Sequence, residues 1–220
     1  MFPEGHPFAR FVPLLFVLTF VSGLVDAASF LGLGRVFVAN MTGNVVFLGF
    51  ALAGAAQLSV AASAVALLGF LTGAFAGGAW RREREPARIV APLATIQALL
   101  LAAALVCQAA GWGRYAVLVP LACGMGVQNA LVHRLGVPDL TTTVMTRTLT
   151  GLAVDRPGSA TMRRAVSVVT LAAGAYTGGV LHARLGAEGV LAVALCLVLA
   201  VVSVARRHHE EPEDGDRGGP

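Results

Sequence analysis

The sequence contains no lysine, and its 16 basic residues are all arginine. Charged residues make up 13% of the 220, about half the roughly 25% of a soluble globular domain. This scarcity, together with 56% hydrophobic residues and a mean hydropathy of +0.76, excludes an ordinary soluble fold. Cysteine is also scarce. Cys107, Cys123 and Cys196 are three in number, far apart and each inside an apolar run, which excludes a disulfide framework and a cysteine metal site and leaves them as small core hydrophobes. Lysine absence with abundant Ala, Gly, Val and Leu is the composition of proteins from GC-rich bacterial genomes. The pI of 9.6 does not indicate a nucleic-acid partner, because the length leaves no room for a separate soluble domain. The arginine excess instead suits a multi-pass protein of the bacterial inner membrane, whose cytoplasmic loops are held in place by basic residues.

Apolar blocks run at about 11–33, 36–56, 59–80, 89–111, 115–133, 140–154, 165–183 and 187–205, with Gly-rich or Arg-rich joints between them. At about 20 apolar residues per spanning helix, the expectation is an all-α polytopic transmembrane helix bundle forming one integral membrane domain over 1–205. From Arg206 the chain reads RRHHEEPEDGDRGGP, a polar tail expected to be disordered over 206–220, in which His208 and His209 are solvated. The first 30 residues imitate a secretory signal around Val25-Asp26-Ala27. We read them as a spanning segment, because Asp26 suits a cleavage region badly and the segment recurs later.

That recurrence has three parts in the same order. Gly23-x-x-Asp26-Ala27 answers Gly126-x-x-Asn129-Ala130, Met41-Thr42 answers Met145-Thr146, and Gly73-Ala74-Phe75-Ala76-Gly77-Gly78 answers Gly174-Ala175-Tyr176-Thr177-Gly178-Gly179, at offsets of 103, 104 and 101. Such weak internal repeats are typical of transporter folds, and the halves lie at about 10–111 and 115–205. Arginine placement then bears on topology. If all eight blocks cross from an inside N-terminus, seven arginines fall on each side. If blocks two and six do not cross, Arg10, Arg81, Arg82, Arg84, Arg88, Arg134, Arg156, Arg163, Arg164, Arg206 and Arg207 lie inside, eleven against Arg35, Arg114 and Arg184 outside. The positive-inside rule favours the second arrangement. It has two inverted halves of three spanning helices, each with an extra short interrupted segment, and both termini cytoplasmic. A seven-span variant, in which block two crosses, scores equally; six treats related blocks alike.

The polar residues inside these blocks are the candidate solute or ion pathway. Block two contains Asn40-Met41-Thr42-Gly43-Asn44, and block six contains Thr141-Thr142-Thr143-Val144-Met145-Thr146-Arg147-Thr148-Leu149-Thr150. Asn and Thr ahead of an apolar run cap helices, so each stretch is expected to be an extended entry into a short helix. Interrupted segments at matching places in two halves point to a transporter's binding site; as an alternative, their side chains glue neighbouring helices together. Asp26 is the only acidic residue well inside a spanning segment, where a charge costs about 2.5 kcal/mol or more. Its compensation is a proton, a cation, a basic partner such as Arg147, or a place near a helix end where it caps or reaches water. Gln128 is expected to line the pathway beside Asn129, whereas Gln97, His133 and Arg134 are read as helix-end or interhelical contacts. The glycines of both stripes are read as close-packing positions.

The string Gly23-Leu24-Val25-Asp26-Ala27-Ala28-Ser29-Phe30-Leu31-Gly32-Leu33-Gly34 with Ala39-Asn40-Met41-Thr42-Gly43-Asn44, and Gly126-Val127-Gln128-Asn129-Ala130 with the threonine stretch, resemble the YoaK-type family of bacterial integral membrane proteins, catalogued as domain of unknown function 1275. The resemblance covers about residues 10 to 205. It implies a membrane location and a size class, without a substrate or activity. This chain departs from the family pattern at Thr146-Arg147, where the family reads Thr-Gly. No Ser-His or Cys-His pair with an orienting acid, metal-ligand cluster or paired intramembrane carboxylate stands out, so no enzyme activity and no cofactor are expected. The expected partners are the lipid bilayer, a small solute or ion, and a homodimer mate or another membrane protein. The leading functional reading is a small secondary transporter or permease, and the second is a non-transporting scaffold or accessory subunit.

Overall fold

The computed structural model describes residues 11–79, 87–136, 145–155 and 158–210. Among the described residues all regular structure is helical: α1 (Val12–Gly32), α2 (Met41–Leu52), α3 (Val60–Ala79), α4 (Ala87–Ala109), α5 (Arg114–Leu135), α6 (Met145–Val154) and α7 (Ser159–Glu210). Five of these, α1, α3, α4, α5 and α7, are long and apolar enough to cross a membrane. α7 is broken at Gly186, whose φ of 67° and ψ of −172° cannot continue a helix. Its limbs, 159–185 and 187–210, are about 40 and 36 Å long at 1.5 Å per residue, and a hydrocarbon core is about 30 Å thick. By the same rise, α2 is only about 18 Å long.

α1 begins with Pro13 in its first turn, where the missing N–H costs nothing. It ends where Gly34 (φ 108°) and Arg35 (φ 57°) turn the chain back. A Cβ on Gly32 would meet His182 and Ala187, and Gly34 lies against Arg114. Arg35 also donates to Gln57 Oε1 at 2.6 Å. The end of α1, the starts of α3 and α5, and the break in α7 therefore share one end of the bundle. At the other end Arg134 donates to the Gly77 carbonyl at 3.3 Å, and Arg206 reaches Thr95 at 3.5 Å.

The helices meet through glycine. α1 packs on the first limb of α7, where a Cβ on Gly23 would fall against the Leu171 carbonyl and 2.6 Å from Ala175 N, and one on Gly174 would strike the Phe20 carbonyl. α5 packs on α3 in the same manner: a Cβ on Gly126 would fall against the Phe70 carbonyl and 2.7 Å from Ala74 N, and one on Gly73 would strike the Cys123 carbonyl. Backbone contact of this kind replaces the hydrophobic drive that helices lack in lipid. Large apolar side chains point outward instead, including Leu68, Leu71 and Phe75 on α3 and Leu99 and Val106 on α4. The hydroxyls of Thr19, Ser22, Thr72, Thr95 and Ser203 donate to the carbonyl four residues back, which satisfies them without water.

Three expectations need correction. α7 continues through Arg206 and Arg207 to Glu210, so the tail does not begin at Arg206. Arginines in a last turn complement the helix dipole and extend their heads past the apolar end. Residues 211–220 lie outside the described ones. Met41 to Asn44 are helical, as are Thr146 to Thr150, so the extended entry of block two is confined to the residues before Asn40. Cys196, expected in the core, is exposed, and Cys107 and Cys123 are half-buried; all three are free thiols.

Candidate functional site

The site starts from Asp26, six residues before the end of α1. The chain leaves α1, turns at Gly34 and Arg35, and runs back along the helix so that Val38 and Ala39 reach the level of Asp26. There the Val38 and Ala39 N–H groups donate to Asp26 Oδ1 at 2.9 and 2.7 Å. Two amide bonds offset part of the cost of taking the carboxylate out of water, and they fix the returning segment at this depth.

Asn44 completes the fold of the segment. Fully buried, its Oδ1 accepts the Phe37 N–H at 2.9 Å and its Nδ2 donates to the Phe37 carbonyl at 2.6 Å. The side-chain amide thus stands in for a neighbouring strand. Asn40 caps α2, its side chain accepting from Gly43 N at 3.5 Å. Gly43 is required because a Cβ would lie 2.8 Å from the Phe37 ring. That ring stacks on Phe30 and Phe47 at centroid distances of 5.1 and 5.6 Å.

Beside Asp26 a cleft of about 780 Å³ opens among α1, α2, α3, α6 and α7. Ser22, Gly23 and Asp26 line it from α1; Phe37, Ala39 and Asn40 from the returning segment; Met41, Thr42, Gly43, Val46 and Phe47 from α2; Phe70 from α3; Met145 and Thr146 from α6; Leu171 and Ala175 from α7. Ser22 is the central residue of α1, and Phe70 and Leu171 lie within a residue or so of the centres of α3 and of the first limb of α7. The cleft is therefore at mid-height in the bundle. Both polar segments singled out in the sequence reach it, with Thr42 and Thr146 on its wall.

The other sequence candidates are dispersed. Gln128 is fully buried. Its Nε2 donates to Ser22 Oγ at 2.8 Å and to the Leu18 carbonyl at 3.2 Å, and its Oε1 accepts from Gln97 Nε2 at 2.6 Å. It is thus a bridge among α1, α4 and α5, placed behind Ser22. Asn129 is half-buried and donates to the Met125 carbonyl of its own helix at 3.0 Å. Thr148 is buried within α6. Arg147 belongs to α6, but its side chain lies outside the described residues, and so does its suggested pairing with Asp26. Thr142 and Thr143 also lie outside them. The aromatic wall, Phe37, Phe47 and Phe70, was missed from sequence. A usable signal existed: Phe70 and Leu171 each stand three residues before the first glycine of a repeated stripe. No group of three or more His, Cys, Asp or Glu residues arranged to hold a metal occurs among the described residues.

A bundle of long apolar helices around a mid-height polar cleft defines a multi-pass α-helical membrane protein. The family model described as protein of unknown function (DUF1275) matches residues 14–204, and the chain belongs to this family, as the Asp-Ala and Met-Thr-Gly-Asn elements implied. It is 35% identical over 152 residues to UPF0700 transmembrane protein YoaK of Bacillus subtilis (strain 168), an alignment covering 66% of this chain and 67% of that one. No solved structure matches.

Proposed function

We propose that this chain is a small secondary transporter or permease of the bacterial inner membrane, moving a small solute through the cleft beside Asp26. The observation that carries the reading is the meeting of Thr42 and Thr146, from the two short helices, on the wall of one mid-height cavity that also holds Asp26. Interrupted segments that converge at the midplane are the usual construction of a transporter site. Non-helical backbone is tolerated at that depth where protein or a water-filled cavity surrounds it.

The topology proposed with it has six spans, α1, α3, α4, α5 and the two limbs of α7, with α2 and α6 entering without crossing and both termini cytoplasmic. The break at Gly186 and the shortness of α2 support it. Duplication of the two halves is supported by the equivalence of the glycine contacts. Gly23 meets Leu171 and Ala175 as Gly126 meets Phe70 and Ala74, and each residue in the first set precedes or follows its counterpart by the offsets read in the sequence. Each half contributes one helix to each glycine-packed pair, so sliding at these smooth seams would move the halves against each other while Asp26 serves as the coupling site.

A scaffold whose glycine stripes bind a partner helix is less well supported, since Gly73, Gly77, Gly174 and Gly178 are already occupied by helices of the same chain. The test is uptake of a panel of small metabolites and ions into proteoliposomes at two pH values, with wild type and Asp26→Asn side by side. A flux that needs Asp26 sustains the proposal. Absence of flux for every compound, from protein that is folded and runs as a stable hetero-complex, favours the scaffold.

A further inference from the structure

A second cavity lies on the outer surface, away from Asp26. α4 and the second limb of α7 leave a groove of about 300 Å³ between them. Ala98 and Ala102 keep it open, because alanine fills little of the space between the helices, and Leu99 and Leu199 flank it with 66% and 47% of their surfaces exposed. Its polar atoms are confined to one end. There the Thr95 and Ser203 hydroxyls donate to carbonyls of their own helices at 2.7 and 2.9 Å, so they offer lone pairs rather than protons. The donors at this end are those of the Arg206 guanidinium, which makes one long contact, 3.5 Å, to Thr95 Oγ1.

Arg206 is also the residue at which the apolar run of α7 ends and the polar sequence begins. This is the depth at which a bilayer presents its phosphates. From Thr95 to Ala102 the groove extends about 10 Å along α4, two-thirds of the roughly 15 Å depth of one hydrocarbon leaflet. An apolar slot of that length with a forked cation at its mouth matches a single kind of occupant: an acyl chain joined to an anionic phosphate headgroup. Guanidinium binds phosphate in two-pronged fashion, and basic pockets between spanning helices select acidic lipids.

We infer that the groove between α4 and the second limb of α7 is a binding site for one acidic phospholipid, with its phosphate on Arg206 and an acyl chain along Ala98 and Ala102. This does not depend on whether the protein transports a solute.

The test uses the full chain, purified and exposed to equimolar phosphatidylglycerol and phosphatidylcholine, with native mass spectrometry counting the lipids retained. Wild type should retain one phosphatidylglycerol in preference to phosphatidylcholine. Arg206→Ala should reduce that preference about fivefold, the equivalent of about 1 kcal/mol for one arginine at an acidic surface. Arg206→Lys should keep part of it, and Arg207→Ala, at a residue outside the groove, all of it. Ala102→Phe, which fills the slot without touching the charge, should lower retention of both lipids. Equal retention of the two lipids by wild type, or equal losses in Arg206→Ala and Arg207→Ala, would overturn the inference.

Discussion

Asp26 Oδ1 accepts the Ala39 N–H at 2.7 Å, which ties the middle of α1 to a segment 13 residues further along the chain. The carboxylate therefore has a structural duty besides any role in coupling, and substitutions can separate the two. Asp26→Ala leaves the Val38 and Ala39 donors without their acceptor, at about 1–3 kcal/mol for each buried group left unpaired. Asp26→Asn keeps an acceptor oxygen in place. Thermal unfolding in detergent should show a clear loss for alanine and a small one for asparagine, so that a flux lost in the asparagine variant reports on charge. Equal stability of wild type and Asp26→Ala would contradict the contact.

The glycine stripes make a positional prediction. Gly23→Ala and Gly174→Ala each drive a methyl group into backbone of the facing helix, where overpacking costs about 1–3 kcal/mol. Gly78 and Gly179 end the two repeated glycine stripes, the second of which begins at Gly174, yet a Cβ at either meets nothing within 4 Å. Alanine at those two positions should be neutral or slightly stabilising, since it is the better helix former. Fluorescence-detected gel filtration after heating would rank the four variants.

Gln97 and Gln128 form a pair whose cost depends on being complete. Gln128→Leu removes the acceptor of Gln97 Nε2 and the donor to Ser22 Oγ, leaving buried polar groups unmatched. The double variant Gln97→Leu with Gln128→Leu removes both amides and replaces them with apolar groups of similar size, which is close to neutral when nothing is stranded. The double variant should therefore unfold at a higher temperature than Gln128→Leu alone. An additive loss would show that the pair is not coupled.

Hydropathy located the long helices because each must present apolar side chains on nearly every face, and the gap between the blocks at 165–183 and 187–205 marked the joint that falls at Gly186 inside α7. Spacing also identified the two segments that meet at the cleft, through Met41-Thr42 and Met145-Thr146. Sequence could not reveal how far those segments are helical, because Asn40 and Thr146 are equally good as caps and as first-turn residues. Nor could it distinguish Asn44, which holds Phe37, from Asn40 and Thr42, which face the cavity, since all three are polar residues within five positions. Gln128 was assigned to the cavity because it stands beside Asn129, which answers Asp26 in the repeat, yet it is held by another amide instead. The partner was Gln97, 31 residues away on α4, a distance no local pattern reports. Of the aromatic wall only Phe70 was marked, by its place three residues before a repeated stripe; Phe37 and Phe47 were not, because phenylalanine in an apolar block carries no signal of its own.

The central claim, that the cleft is a solute path, can be tested without knowing the solute. In a background with Cys107, Cys123 and Cys196 replaced by serine, single cysteines are placed at Thr42 and Thr146 on the cleft wall and at Leu68, which is exposed on the side of α3 opposite the cleft-lining Phe70. Each is then treated with a small membrane-impermeant thiol reagent in sealed vesicles. The account predicts rapid modification of Thr42→Cys and Thr146→Cys and none of Leu68→Cys. Thr42→Cys and Thr146→Cys reacting no faster than Leu68→Cys would contradict it.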